Sequence, residues 1–386
     1  MSPTTSIFAQ MRDWRRDFHA HPELGFDEHR TSAKVAGLLR EFGLDVHTGI
    51  GRTGVVGVLQ RGNGTKAIGL RADMDALPFE EQNDIAYRST KAGVMHACGH
   101  DGHTAMLLGA AKYLSHQGDF NGRVVFIFQP AEEHGEGGPA MLEDGLFERF
   151  PVDEVFGMHN MPGLPVGQFE MRTGTIMASE ALFEIQINAR GGHAAMPHMG
   201  VDAITVGSQM VGALQTIVSR KLNPGKNGVV SVTEFITDGS RNRLPGSATL
   251  KGDARALTPD VNRRIEESMR SIVAGIAAAH DVEATVSYQT IFKATINADE
   301  PTEKAASAAE AFVGSQNVNR NREPVLASED FAHMAAARPG CFFFTGNGTE
   351  GASGQPLHAT NYDFNDDALV PGSSLWVHLV EHVLQS

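Results

Sequence analysis

The feature that most constrains the fold is a change of rhythm near residue 180. Before it, helix-like and strand-like segments alternate. Val35, Leu38, Leu39 and Phe42 fall at helical spacing between residues 28 and 42, with Gly43 as a stop. Residues 55–59, 67–70, 124–128 and 154–158 read as short strands, and 103–116 as a helix with Leu107, Ala110, Ala111 and Leu114 on one face. Such alternation predicts an α/β layer with a largely parallel sheet. After residue 180, Phe183, Ile185, Ile187 and Ala189 alternate as in a half-buried strand. A helix over 202–220, strands at 229–236 and 248–255, a helix from Pro259 to 279 and a strand at 283–289 follow. The order β-α-β-β-α-β is the split motif of ferredoxin-like α+β domains. The first pattern then resumes, with a strand at 341–345 and a helix at 366–384. The expectation is one α/β domain, residues 1–179 and 291–386, interrupted by a second at 180–290. A chain of 386 residues is long for one core, so two domains are also the prior from length.

Composition excludes several classes. Lys plus Arg total 32 against 46 Asp plus Glu, a formal charge of −14, which argues against nucleic-acid binding and polybasic membrane attachment. Only two cysteines occur, Cys98 and Cys341, so there is no disulfide framework. The first residues lack a basic segment followed by an apolar core, and the apolar strings are too short for a bilayer, so a cytoplasmic location is expected.

Gly49-Ile50-Gly51-Arg52-Thr53-Gly54 matches a dinucleotide fingerprint, but a strand-like run follows where the fingerprint needs a helix; it reads as a turn between strands. The densest chemistry lies in Met95-His96-Ala97-Cys98-Gly99-His100-Asp101-Gly102-His103. Soft and borderline ligands at this density point to a metal. Cys98 and His100 supply only two ligands, so others must come from elsewhere. They stand after three strands, in Arg71 to Pro78, in Gln129 to Glu133 and in Gly157 to Asn160, where α/β sheets build their sites. In the adjacent pair Glu132-Glu133, one carboxylate can bind metal while the other stays free as a general base. Gly191-Gly192-His193 lies inside the inserted segment, where paired glycines allow close backbone approach.

Together these strings resemble the dinuclear-metal amidohydrolase and peptidase family, in its branch of hippurate hydrolases, N-acyl-amino-acid amidohydrolases and auxin-conjugate hydrolases. The carrying segments are His21 to Phe26, Arg71 to Pro78, His96 to His103, Gln129 to Glu133, Gly157 to Asn160, Gly191 to His198, Ser328 to Phe331 and Leu357-His358. The resemblance implies a metal-binding α/β catalytic domain interrupted by a ferredoxin-like dimerisation (lid) domain, and hydrolysis of N-acyl amino acids to a carboxylate and a free amino acid. It implies two divalent ions, Zn, Mn, Co or Ni, held by Cys98, His100, Glu133, His159 and His358. Because five ligands are few for two ions, a Cys98 thiolate would bridge. Where other branches carry His-x-Asp, this chain has Asp73-Met74-Asp75; His100 would replace the missing imidazole, and Asp75 would orient a ligand. Glu132 would be the general base. His193 would reach the oxyanion from a partner subunit of a homodimer, or of a tetramer built from it. Asn242 and Arg255 would bind substrate, the guanidinium pairing with its carboxylate. Arg243 adds a charge beside Asn242 where the family carries an apolar residue, and Asp253 stands two residues before Arg255. Glu329 could orient His358; His198, Asp101 and His103 carry no assigned role. The rival readings are a dipeptidase or carboxypeptidase, an N-carbamoyl amidohydrolase, and a non-enzymatic metal-binding protein.

Overall fold

A computed structural model describes Ser2 to Gln385 and divides them into two compact units. The first comprises residues up to Ile176, Thr295–Glu323 and the chain from Glu329 onward; the second comprises Met177–Ala294 and Pro324–Ser328. In the first unit the chain runs α1 (Phe8–Ala20), α2 (His29–Glu41), β1 (Asp45–Ile50), β2 (Gly54–Arg61), β3 (Ala67–Asp73), α3 (His100–Gln117), β4 (Gly122–Gln129), α4 (Gly137–Glu143) and β5 (Glu154–Pro162). In the second it runs β6 (Ser179–Asn188), α5 (Ala203–Leu214), β7 (Gly228–Thr237), β8 (Ser247–Ala256), α6 (Pro259–Ala279) and β9 (Glu283–Phe292). Back in the first unit come α7 (Asp299–Val313), α8 (Phe331–Ala337), β10 (Gly340–Gly348) and α9 (Leu369–Val383).

The first unit holds an eight-stranded sheet ordered β1-β2-β4-β3-β5-β10, followed by the short strands Phe169–Glu170 and Val318–Asn319. Its central strands β4, β3, β5 and β10 run one way, and the edge pair Phe169–Glu170 with Val318–Asn319 is parallel too, whereas β1 with β2, β2 with β4 and β10 with Phe169–Glu170 are antiparallel. The expected largely parallel sheet is therefore a mixed one. The difference arises at the first edge, where β1 and β2 form a hairpin across Gly51 to Thr53, the turn expected between strands from the sequence, and β2 runs antiparallel to β4. All seven residues of β3 are buried, as a central strand covered on both faces requires. The parallel strands carry Asp73, Gln129 and His159 toward their carboxyl ends, so one end of the sheet collects the polar residues.

The helix expected from residue 103 begins at His100, so the ligand-rich motif forms its first turn. Gly99, at φ +94°, makes the entry; a Cβ there would collide with the Asn160 side-chain oxygen and approach the Tyr362 hydroxyl.

The second unit has an antiparallel sheet ordered β7-β8-β6-β9 with α5 and α6, the β-α-β-β-α-β sequence of elements. The helix expected over 202–220 is shorter. α5 stops at Leu214, and Ile217–Lys221 forms a wider turn in which Leu222 N–H donates to Ile217 O. The β-branched run Thr216-Ile217-Val218 disfavours continuation of the α-helix. Thr258 caps α6 by accepting from Val261 N–H, with Pro259 in the first turn. No helix among the described residues is long and apolar enough to cross a membrane.

Candidate metal centre

Five side chains that sequence reasoning named as ligands come together in the first unit. Cys98, His100 and His159 offer one ligand atom each within 4.8 Å of one another; so do Cys98, Glu133 and His358. Cys98 belongs to both groups. Its Sγ lies 3.4 Å from His159 Nε2, Glu133 Oε1 lies 3.5 Å from His358 Nε2, and His100 Nε2 lies 3.9 Å from Glu133 Oε1.

The ring orientations follow from what holds the far nitrogens. His100 Nδ1–H donates to the Asp75 carbonyl at 2.9 Å and faces Asp75 Oδ1 at 3.2 Å; His159 Nδ1–H donates to Asn160 O at 2.7 Å. Each leaves Nε2 turned toward the cluster, the arrangement that metal-binding imidazoles need. Asp75 Oδ2 accepts from Glu133 N–H at 3.0 Å, so one carboxylate fixes both His100 and the turn carrying Glu133. That turn is entered at Ala131, which has φ +49° and donates its N–H to buried Glu28 at 2.8 Å. His358 is likewise a non-glycine residue at positive φ, +66°, and its N–H donates to Ala97 O at 2.8 Å. Strained backbone held in place on both sides of a polar cluster is typical of functional sites.

The donors fit a divalent pair. His100 Nε2 and Glu133 Oε1 are buried with no hydrogen-bond partner among the described residues. Unpaired buried donors and acceptors are costly, and a cation between them removes that cost. Thiolate, imidazole and carboxylate together are a borderline-soft set. Burial alone would lower the His100 pKa, but Asp73, Asp75 and Glu133 outweigh it and push it up to about 10. Burial, then Glu133 and Glu132, push the Cys98 thiol well above its ordinary range. The cluster therefore attracts positive charge, which bound cations would supply, inverting the thiol's preference. Burial is also the main reason why Glu132 is raised well above the usual carboxylate range, with Glu329, Glu133 and Asp330 adding to it and Arg71 opposing.

Asp75→Asn is expected to weaken metal binding roughly 10- to 100-fold, because a carboxamide cannot both accept from Glu133 N–H and hold His100 as a carboxylate does. Titration of metal-free protein with Mn2+ or Zn2+ measures this; an unchanged affinity would show that Asp75 does not orient the ligands.

Other residues have definite surroundings. His103 is held between Asp73 Oδ1 and the Asn160 side-chain oxygen, each at 2.6 Å, and Asn160 donates to the Tyr362 hydroxyl. Asp101 does not face the cluster: it accepts from His19 at 2.9 Å and lies 3.2 Å from Arg15 Nε, tying the first turn of α3 to α1. Glu329, considered as a partner for His358, instead accepts from Arg71 Nη2 at 2.8 Å and from Phe331 N–H. Arg71, Glu28, His19 and Asp330 had no role assigned from sequence. The available signal was the charge itself: an arginine inside an apolar strand has to be paired when that strand is buried.

In the second unit, His193 and Asn242 are neighbours. Gly192–His193 pairs with Arg243–Leu244, and Ala194 N–H donates to Asn242 O at 3.0 Å. His193 and Asn242 are exposed, and Arg243 donates to Asp238 at 2.7 Å, which balances its charge. Arg255 is already engaged: Nε donates to Asp253 at 2.9 Å, Nη1 to Ser328 at 2.9 Å, and Nη2 lies 3.1 Å from Glu180. His198 sits exposed in the short helix Pro197–Met199.

Comparison with known proteins places these features in context. The profile of Peptidase family M20/M25/M40 matches residues 69–382. A hippurate hydrolase of Campylobacter jejuni is 44% identical over 95% of this chain and 94% of its own length. An N-acetylcysteine deacetylase of Bacillus subtilis is 36% identical, covering 99% of this chain and 98% of its own. A Bacillus subtilis crystal structure described as a dinuclear metal binding peptidase from the M20 family superposes with a TM-score of 0.85 at 32% identity, covering 98% of this chain and 99% of the other.

Proposed function

The chain belongs to Peptidase family M20/M25/M40, and from that premise we propose that it is a metal-dependent amidohydrolase that cleaves N-acyl amino acids to a carboxylate and a free amino acid. The observation that carries this reading is the placement of buried Glu132 beside two ligand groups that share Cys98. Two relatives with near-complete coverage, a hippurate hydrolase and an N-acetylcysteine deacetylase, are named for N-acyl amino acids with quite different acyl groups, which supports the substrate class.

Cys98, His100, Glu133, His159 and His358 would hold two divalent ions, drawn from Zn, Mn, Co and Ni, with the Cys98 thiolate common to both ligand groups. When bound, such ions polarise the scissile carbonyl and lower the pKa of an attacking water. Glu132 takes the proton of that water as its oxygen bonds to the acyl carbon. As the C–N bond breaks, Glu132 returns the proton to the leaving amine, so the residue ends as it began. Its raised pKa suits a group that must both accept and donate. Asp75 holds His100 and the Glu133 turn throughout.

His193 would donate to the oxyanion from a partner subunit. A homodimer formed through the second unit is supported by its surface: except for Ile296, the exposed large apolar side chains among the described residues all belong to it. Asn242 and Arg255 would bind the amino-acid portion of the substrate. A substrate carboxylate at Arg255 must compete with Asp253 and Glu180, so its grip should be weaker than that of a free guanidinium.

The test is a substrate panel on protein stripped with chelator and reloaded separately with Zn, Mn, Co or Ni. Benzoyl, acetyl and indolylacetyl amino acids are compared with free dipeptides and N-carbamoyl amino acids. The expected result is no activity without metal and a kcat/KM for at least one N-acyl amino acid about tenfold or more above that for the matching dipeptide. A preference for dipeptides would make the protein a dipeptidase, and release of ammonia and carbon dioxide would make it a carbamoyl hydrolase.

A further inference from the structure

Behind the candidate centre lies a second polar cluster that the chemistry above does not use. Arg71, on the central strand β3, is fully buried, and its fork is filled. Nε donates to Gln129 Oε1 at 2.9 Å, Nη1 to Asp73 Oδ2 at 2.8 Å, and Nη2 to Glu329 Oε1 at 2.8 Å and Asp330 Oδ1 at 3.1 Å. Asp330 is fixed from two further sides, by Gln129 Nε2 at 2.7 Å and Gly138 N–H at 2.8 Å. Its own backbone N–H then donates to Glu132 Oε1 at 3.4 Å. Glu132, Glu329 and Asp330 bring carboxylate oxygens within 4.8 Å of one another, which a buried site tolerates through protonation or a cation among them. Arg71 is that cation.

We infer that Arg71 is a positioning residue that sets Glu132 for proton transfer by holding the Glu329–Asp330 turn against it. The guanidinium supplies what no single ammonium could: separate donors in fixed directions to Gln129, Asp73, Glu329 and Asp330. Through the first and the last of these it fixes the turn whose N–H reaches Glu132. Its contact with Asp73 serves other neighbours, since Asp73 Oδ1 holds His103 and Oδ2 lies 3.8 Å from His100 Nε2. None of the five proposed ligands accepts from Arg71, so its loss should disturb turnover more than metal loading.

The inference rests on Glu132 being the base, and the experiment separates the two. Arg71→Lys and Asp330→Asn are each compared with the parent and with Glu132→Gln. The measurements are kcat, KM, metal equivalents after dialysis against Mn2+, and Mn2+ affinity by calorimetry. For Arg71→Lys the expected result is a kcat lower by roughly 10²-fold, as for a reacting group displaced by about an ångström. KM and Mn2+ affinity should stay within about threefold, since uniform binding is untouched. Asp330→Asn, which keeps the side-chain volume, should show the same split and decides the matter if Arg71→Lys does not fold. A kcat within about threefold of the parent in the folded variant, or a loss of metal affinity that matches the loss of kcat, overturns the inference. If Glu132→Gln itself remains active, the assignment of the base has failed instead.

Discussion

Glu132→Gln is expected to lower turnover by roughly 10²- to 10⁴-fold, the usual worth of a positioned general acid–base, while two metal equivalents are retained. The substitution is nearly isosteric. The carboxamide oxygen can still accept from Asp330 N–H, and none of the five proposed ligands is removed. What disappears is the ability to take a proton from water and return it to the amine. The loss should therefore appear in kcat, with KM and metal content close to the parent. Steady-state kinetics with elemental analysis of the same preparation checks this. Activity within about tenfold of the parent would sink the mechanism, because another group would then be carrying the proton.

Cys98→Ser should act on metal loading instead. Cys98 is the residue common to both ligand groups, so its removal touches both positions at once. A serine hydroxyl is a far harder and less acidic donor than a thiol. The expected loss of affinity is at least the roughly 10- to 100-fold that removal of an outer partner costs, with no more than one equivalent surviving dialysis. Because burial and neighbouring carboxylates keep the free thiol protonated, metal uptake by the parent should also release a proton that the variant does not. Calorimetry in buffers of different ionisation enthalpy reads both effects. Two equivalents bound as tightly as in the parent would show that Cys98 is not a bridge.

The parts of the site that were legible in the sequence are those whose residue types are costly to explain otherwise. Cys98, His100 and Glu132-Glu133 stand out locally, and His159 stands at the end of an apolar strand. His358 could be drawn in only by family resemblance, since nothing in Leu357-His358 taken alone signals a ligand. The α/β alternation and the β-α-β-β-α-β order were legible because hydrophobic periodicity records which face of each element is buried. Where burial involves charge, that record is broken. α1 buries Met11, Arg15, Phe18 and His19 on one face, and two of these do not read as core. α7 buries Ala305, Ala306, Ala308 and Ala309, whose small side chains give a weak pattern. Arg71, like Arg15, signals by its charge only that a partner is needed; the partners themselves, here Glu329 and Asp330, are distant in sequence.

The origin of the fifth ligand has a consequence for assembly. Cys98, His100, Glu133 and His159 all precede the second unit in the chain, whereas His358 follows it. A cation held by Cys98, Glu133 and His358 would therefore close a loop of more than two hundred residues, counted along the numbering from Glu133 to His358. Closing so long a loop costs conformational entropy, which the pairing of β10 with β5 and core packing offset and a completed centre would offset further. The segments on both sides of the insertion, held to one cation, would then be clasped together, favouring the state in which they have met. Chelation should loosen the C-terminal segment against protease sooner than the segments that contribute the other four ligands.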